Sequence, residues 1–515
     1  IKPDGIMTIV LPHGVLFRGG EEGEIRKNLI ENNHIDAIIG LPANIFFGTG
    51  IPTIIMVLRQ KRENTDVLII DASKGFIKEG KNNKLRASDI KRIADTFIKR
   101  ESIPKFSRVV SREEIRSNDY NLNIPRYVDS SEAAEHWDVY ASMFGGIPTA
   151  EIDEMSEFWT AFPALKKALF TESGIPYVNV STPDIKSAIK SHPDVVGFEN
   201  AFNAAFSTFP AFLKEELIDR MGSIEISKAE TVLSADIFER LKEIPLIDKY
   251  AAFQLLDDDW TGISIDLEML QTEGFAATKK VDPNLVIKKK DGKDQEVQEG
   301  WVGHIIPFDL VQATLLSAET DELHGLESRL AEIPSEYESI LDEMTEEDKE
   351  SCNDVLTEEG DAFVPKEVSK KIKELKKDRS PESVALRTLL EKVESLIKSE
   401  KEIKAEIKAK SAALQAKTKD TIESLSDEQA LDLLEKKWIA PLFESIHKLP
   451  DTVIDSLVSK IQALQNKYAT TFFEVEQQIS ETEATLSGMI DDLEGNEYDM
   501  LGLKELKKLL GGSAE

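Results

Sequence analysis

The chain has 515 residues, with 63 Lys+Arg against 95 Asp+Glu and a net charge of −32. Hydrophobic content of 41% beside 31% charge excludes a chain that is disordered throughout, and no apolar run reaches the roughly 18 residues of a membrane span. A single cysteine, Cys352, excludes an intrachain disulfide, so a reducing cytoplasm is the expected location. The charge also argues against a protein that coats nucleic acid with its whole surface. It is unevenly spread, however. Residues 1–128 hold 21 basic and 16 acidic side chains, a net of +5, and residues 129–515 hold 42 and 79, a net of −37. Two jobs are expected of such a chain.

The first 129 residues read as α/β. Residues 6–11, IMTIVL, form a short apolar run between Gly5 and Pro12-His13-Gly14, the pattern of a buried strand. Gly19-Gly20 then precedes EEGEIRKNLIENN, acidic at its start as a helix dipole prefers. Further strands are expected at DAIIGL (36–41), TIIMVL (53–58) and VLIIDAS (67–73). Strand, helix and strand in some thirty residues make a βαβ unit. The turn-rich gap PANIFFGTGIP (42–52) lacks a helix pattern, which predicts an antiparallel third strand. The expectation is a parallel sheet with antiparallel pairing at one end. Three or four strands are few for an open α/β sheet, and the sequence opens at Ile1 almost directly into a strand, so the head is expected to be the second half of a larger domain.

The blocks VLPHGVLF, GLPANIFFGTGIPT and YNLNIPRYV, in this order within residues 1–129, resemble the modification subunit of type I restriction–modification systems, a family of N6-adenine DNA methyltransferases. The resemblance implies a partial Rossmann-like methyltransferase sheet. It also implies S-adenosylmethionine as methyl donor in the complete enzyme, with a specificity subunit, a second modification subunit, DNA and a restriction (translocase and nuclease) subunit as partners, and no membrane. The family's Gly-rich donor loop and Asn-Pro-Pro-Phe or Tyr tetrapeptide are absent from this sequence. No catalytic residue is therefore assigned, no cofactor is expected on this chain alone, and the isolated chain is expected to be inactive.

An enzyme acting on a base within duplex DNA flips it out and holds it by stacking. The loop after the second strand offers Phe46 and Phe47, followed by Gly48-Thr49-Gly50. The resemblance makes Phe46, Phe47 and Thr49 candidates for the pocket of the flipped adenine, against an alternative in which both rings plug the core.

Other chemistry is weaker. His13 has no carboxylate or nucleophile adjacent in sequence and reads as a turn histidine. The seven histidines are scattered, and with one cysteine no zinc spacing exists, so no metal site is expected. Asp257-Asp258-Asp259 reads as a solvated helix face. The basic stretch KKVDPNLVIKKKDGK (279–293) reads as an exposed β-hairpin with an Asp-Gly turn.

The rest is expected to be mostly α-helical. A mainly helical domain spans 130–318 with a small hairpin near 276–306, a coiled-coil arm spans 319–440, and C-terminal helices for subunit docking span 441–515. In the first of these, Ile152, Met155, Phe158 and Trp159 share a stripe that Pro163 interrupts, and Trp260 is expected in a core. Blocks such as FGGIPTAEIDEMSEFW and GWVGHIIPFDLVQATLL again resemble long modification subunits. Three ladders at spacings of 3 and 4 follow. They are Leu323–Tyr337, with Pro334 marking a break or a new helix start; Leu386–Leu414, interrupted by Glu400 and Lys410; and Ile454–Leu486. The interruptions point to antiparallel packing within the chain, and the acidic stretch at 345–363 to a turn between the arms. The alternative to a methyltransferase subunit is a non-catalytic coiled-coil scaffold that retains a decayed methyltransferase half.

Overall fold

A computed structural model describes all residues except 1, 132–134, 173, 175, 291–292, 358–359, 379 and 511–515. The head is a five-stranded sheet of β1 (Ile6–Pro12), β2 (Ile35–Gly40), β3 (Thr53–Arg59), β4 (Val67–Asp71) and β7 (Ser107–Val110), in the order β1-β3-β2-β4-β7. Between β4 and β7 lie a hairpin, β5 (Ile77–Glu79) and β6 (Asn82–Lys84), and the helix α2 (Ala87–Lys99). β3 runs antiparallel to β1 and β2, as its loop predicted; β2 and β4 are parallel. β7 is antiparallel to β4, so antiparallel pairing occurs at both ends of the sheet and not at one. The sequence Ser-Arg-Val-Val escaped notice because it holds only two consecutive apolar residues.

β2 is buried along its whole length, as a central strand covered on both faces must be. On one face Ile38, Ile54 and Ile69 meet Leu16, Ile30, Ile115, Leu122 and Ile124. On the other, Ile39, Leu68 and Ile70 meet Ile93, Phe97 and Phe106. Each such isoleucine or leucine contributes about 1.5–3 kcal/mol by leaving water. The segment 118–129 closes the first face. The Leu122 amide donates to the Leu16 carbonyl at 2.9 Å, and Arg26, on the helix α1 (Glu21–Glu31), donates to the carbonyls of Tyr120 and Val15, each at 2.8 Å. A Cβ at Gly40 would stand 2.6 Å from Ile124 Cδ1, so that side-chain end would have to shift.

The chain forms two compact units that interleave in sequence: residues 1–210, 227–261 and 442–515, and residues 211–226 and 262–441. This differs from the expected divisions at 129, 318 and 440, which followed chain order. The C-terminal helices join the first unit because the helix Leu449–Lys467 lies against Ile185–Lys190, where Lys190 pairs with Asp451 at 2.6 Å and Lys186 with Asp455 at 2.7 Å. That unit also contains a three-stranded sheet, β8 (Ile147–Pro148), β9 (Phe170–Glu172) and β10 (Tyr177–Val180), and an aromatic core of Phe158, Phe162, Phe198, Phe202 and Phe206.

The second unit is built on helices Ser317–Glu343 and Pro381–Glu423, with a hairpin β11 (Val281–Lys290) and β12 (Lys293–Gly303) whose expected Asp291-Gly292 turn lies outside the described residues. The two helices are antiparallel, since Glu319 pairs with Lys417, Glu322 with Lys410 and Glu343 with Lys392. Pro334 does not break its helix; burial of Ile333 and Ile340 holds the turn despite the lost amide. The stretch expected as a polar turn instead carries Cys352 and Val355 into a small core with Ile340, Val368 and Leu390.

Candidate functional site

β1, β2 and β4 share one direction, so their carboxyl ends meet at one edge of the sheet, where open α/β folds place ligands. The loop Leu41–Pro52 leaves β2 at this edge. Asn44 adopts φ +56° and Gly48 φ +82°, and the Gly50 position leaves a Cβ only 3.0 Å from Asn44 Oδ1. The loop is tied to the hairpin β5–β6, where Asn83 donates from its amide to Asn44 O at 2.9 Å and from Nδ2 to Ala43 O at 2.7 Å. Thr49 Oγ1 accepts the Ile51 amide at 3.2 Å, which orders the turn locally.

Phe46 is 42% and Phe47 91% exposed. Both rings stand in solvent, so neither plugs the core. The structure brings Phe46, Phe47 and Thr49 together on one loop at the carboxyl edge, and Thr49 bonds to the backbone of that loop.

One neighbour was invisible as a site residue in the sequence, and another was read as a turn histidine. Asp71 ends β4 as a buried carboxylate, accepting the Ser73 amide at 3.0 Å and the hydroxyl of Ser130. A cleft of about 350 Å³ beside it is lined by Lys74, Arg86, Asp89, Lys105 and Phe106. The usable signal was an aspartate closing an apolar strand. His13 also reaches this edge, its amide donating to Pro52 O at 3.1 Å. Burial lowers its imidazole pKa, and the Asp71 charge pulls it partly back. Aromatic faces and cations at a shared edge can stack on and grip a ligand.

The residues present do not fit the methyl donor. Gly20 opens α1 with φ +67°, yet Glu21, Glu22 and Glu24 crowd its first turn, so this helix end repels a carboxylate. Among the described residues no group of three His, Cys, Asp or Glu could hold a metal ion. Asp257 and Asp259 are not fully solvated as expected; partial burial, and after it the charge of Asp258, raises both carboxyl pKa values.

Residues 1–136 match the family of N-6 DNA methylases. The chain is 39% identical over 137 residues to the methylase subunit of the type I restriction enzyme MpnII of Mycoplasma pneumoniae, covering 26% of this chain and 25% of that one. It is 42% identical over 137 residues to the MjaVII methylase subunit of Methanocaldococcus jannaschii, covering 25% and 24%. A crystal structure of the type I restriction-modification methyltransferase subunit from Streptococcus thermophilus shares 56% identity over 25% of this chain and 27% of that one, with a TM-score of 0.24. The chain thus spans about a quarter of the length of these relatives. Over its first 136 residues the chain is similar to the N-6 DNA methylases, and there to the methylase subunits of type I restriction enzymes.

Proposed function

We propose that this chain supplies the base-holding part of an S-adenosylmethionine-dependent N6-adenine DNA methyltransferase and the helices that carry it in a type I assembly in the cytoplasm. The carrying observation is the nearly free Phe47 ring on a loop pinned by Asn83 at the ligand-binding edge. In this reading Phe47, with Phe46 beside it, stacks on the flipped adenine, and Thr49 holds the loop. The donor loop and the Asn-Pro-Pro tetrapeptide belong to a different stretch of polypeptide, without which this chain does not methylate. β1 offers the place for it. It is the sheet's edge strand, and Ile6, Met7 and Val10 on it are exposed, an arrangement suited to strand addition.

The test is coexpression with a segment bearing both motifs and a specificity subunit, followed by transfer of a labelled methyl group to unmodified DNA. Incorporation that falls sharply in Phe47→Ala supports the reading. Full incorporation in that variant removes Phe47 from the pocket.

A second reading, a non-catalytic scaffold, is favoured by one observation. The helix Phe472–Asp491 is nearly all exposed, with Phe472, Val475, Ile479, Leu486 and Met489 along it. In either reading this helix docks on the specificity subunit, in an assembly that also holds a second modification subunit. Assembly that proceeds without any methyl transfer, with both missing motifs supplied, selects the scaffold.

A further inference from the structure

Beside the aromatic loop, residues 74–86 form the most basic short stretch of the head. Lys74, Lys78, Lys81, Lys84 and Arg86 are opposed within it by Glu79 alone. All five cations are exposed. Lys84 is answered by Glu79 at 3.1 Å and Arg86 by Asp89 at 2.9 Å. Lys74, Lys78 and Lys81 have no ion-pair partner among the described residues. In a chain of net charge −32, three unanswered ammonium groups on one short hairpin and its approach are a local reversal of sign.

Geometry aims them. β5 and β6 pair with Lys78 opposite Asn83, so these two side chains share one face of the ribbon. Asn83 uses that face to donate to Ala43 O, within the loop that carries Phe46 and Phe47. Lys78 therefore projects on the side of the ribbon turned toward the aromatic loop. Lys81 sits at the tip beside Gly80, whose φ of +62° makes the tight turn. Lys74 lies where β4 gives way to the hairpin and lines the cleft at the Asp71 edge.

We infer that Lys74, Lys78 and Lys81 form a phosphate grip, which holds the phosphodiester backbone of duplex DNA beside the nucleotide stacked on Phe47. Contacts of this kind carry no sequence information; they fix register and contribute much of the affinity through release of counterions. Such a grip suits a subunit whose target sequence is read elsewhere in the assembly. The inference rests on the proposed role of Phe47 in holding a base.

The test uses the full chain and a fluorescein-labelled 30-base-pair duplex containing one 2-aminopurine. Binding is measured from 20 to 200 mM salt, with the 2-aminopurine emission read in parallel. In Lys74→Gln/Lys78→Gln/Lys81→Gln, affinity at low salt should fall on the order of 10- to 100-fold, and the slope of log K against log salt should flatten by about 3. Phe47→Ala should lose the 2-aminopurine response and keep the parent's salt slope. A control, Lys377→Gln/Lys401→Gln/Lys408→Gln, removes three exposed charges elsewhere and should leave both readouts unchanged. An unchanged slope in the hairpin variant, or an equal loss in the control, overturns the grip and leaves the Phe47 reading standing. A Phe47→Ala variant that keeps the full 2-aminopurine response overturns that reading, and with it the pairing of grip and stacked base. No duplex binding by the parent chain at 20 mM salt overturns both.

Discussion

Asn83 Nδ2 donates to the carbonyl oxygen of Ala43 across 2.7 Å, joining a hairpin to a loop forty residues earlier in the chain. The bond fixes where Phe46 and Phe47 stand. A neutral hydrogen bond of this kind contributes about 0.5–1.5 kcal/mol net. Asn83→Ala should therefore leave the melting temperature of the chain nearly unchanged while amides 43–50 exchange several-fold faster. Equal exchange in the two proteins would mean that the main-chain bond from Asn83 to Asn44 O and the loop glycines suffice to shape the loop.

The opposite edge of the sheet holds a buried carboxylate. Asp36 receives Arg59 Nε at 2.7 Å, Arg62 Nε at 3.1 Å and Arg100 Nη1 at 2.7 Å, and the Arg62 side chain is only 4% exposed. Burial lowers the Arg62 pKa, and the Asp36 charge opposes that shift. Removing the acceptor leaves the buried Arg62 with only the more distant Asp66 carboxylate, at 3.8 Å, as an ion-pair partner, a loss that approaches the roughly 3–5 kcal/mol of a broken buried pair. Asp36→Ala should raise exchange of the β2 and β4 amides by roughly a hundredfold or more. Exchange within threefold of the parent would show that water replaces the carboxylate.

Much of this was legible in advance, for reasons that differ by element. The apolar runs of β2 to β4 declared themselves because strands buried on both faces need side chains of one kind; β1, read from its apolar run as a buried strand, is instead an edge strand with Ile6, Met7 and Val10 exposed. β7 did not, because this edge strand carries Arg108, which is partly exposed, and Ser107, which is buried with its hydroxyl donating to Glu101 O at 2.7 Å. The antiparallel helices were readable even in their blemishes. Glu400 on the expected seam accepts the Tyr337 hydroxyl at 3.0 Å, and Lys410 meets Glu322. The lysine hairpin was missed because β5 and β6 are three residues each, too short for a period to emerge. Asp71 was missed although it closes an apolar strand, because its burial is completed by Ser73 and by Ser130 from 59 residues further on.

His304 couples the base of the hairpin β11–β12 to pH. Its Nδ1 faces Asp282 at 2.5 Å and its Nε2 faces Glu273 at 3.1 Å, with Lys280 also on Glu273. The hydrogen bond with Asp282, and after it that with Glu273, raises the imidazole pKa above its ordinary 6.5. The stabilisation is thus complete below about 6.5 and disappears as pH rises through the higher folded value. Exchange at the hairpin base should quicken between pH 6.5 and 9 beyond the intrinsic rate, and His304→Gln should abolish that excess. A histidine resonance that titrates at 6.5 or below would contradict the clamp.

Two glycines of the same unit should respond in opposite directions to alanine. At Gly303, which ends β12, a Cβ would fall 1.7 Å from the Ile306 carbonyl oxygen, so the backbone itself must move. Gly303→Ala should cost about 3 kcal/mol or more and lower the melting temperature by several degrees. Gly325 lies inside the helix Ser317–Glu343 with nothing within 4 Å of its added Cβ. There alanine removes the entropy cost of a helical glycine, so Gly325→Ala should stabilise by about 0.5–1 kcal/mol.

The helix Phe472–Asp491 carries an apolar stripe that is exposed among the described residues. The earlier half of its ladder, Ile454, Leu457, Ile461 and Tyr468, is buried, whereas Val475, Ile479 and Leu486 are exposed. Residues 469–503 contain no lysine or arginine, and Glu474, Glu476, Glu481 and Glu483 share the helix with the stripe. Like charges would then face each other in a parallel self-pair, which favours a partner helix carrying Lys or Arg. Ile479→Glu/Leu486→Glu should leave the melting temperature within about a degree, since both side chains are largely exposed. It should also abolish copurification with a specificity subunit. Undiminished copurification would sink the docking role, and a large fall in melting temperature would mean that the stripe is covered within the chain.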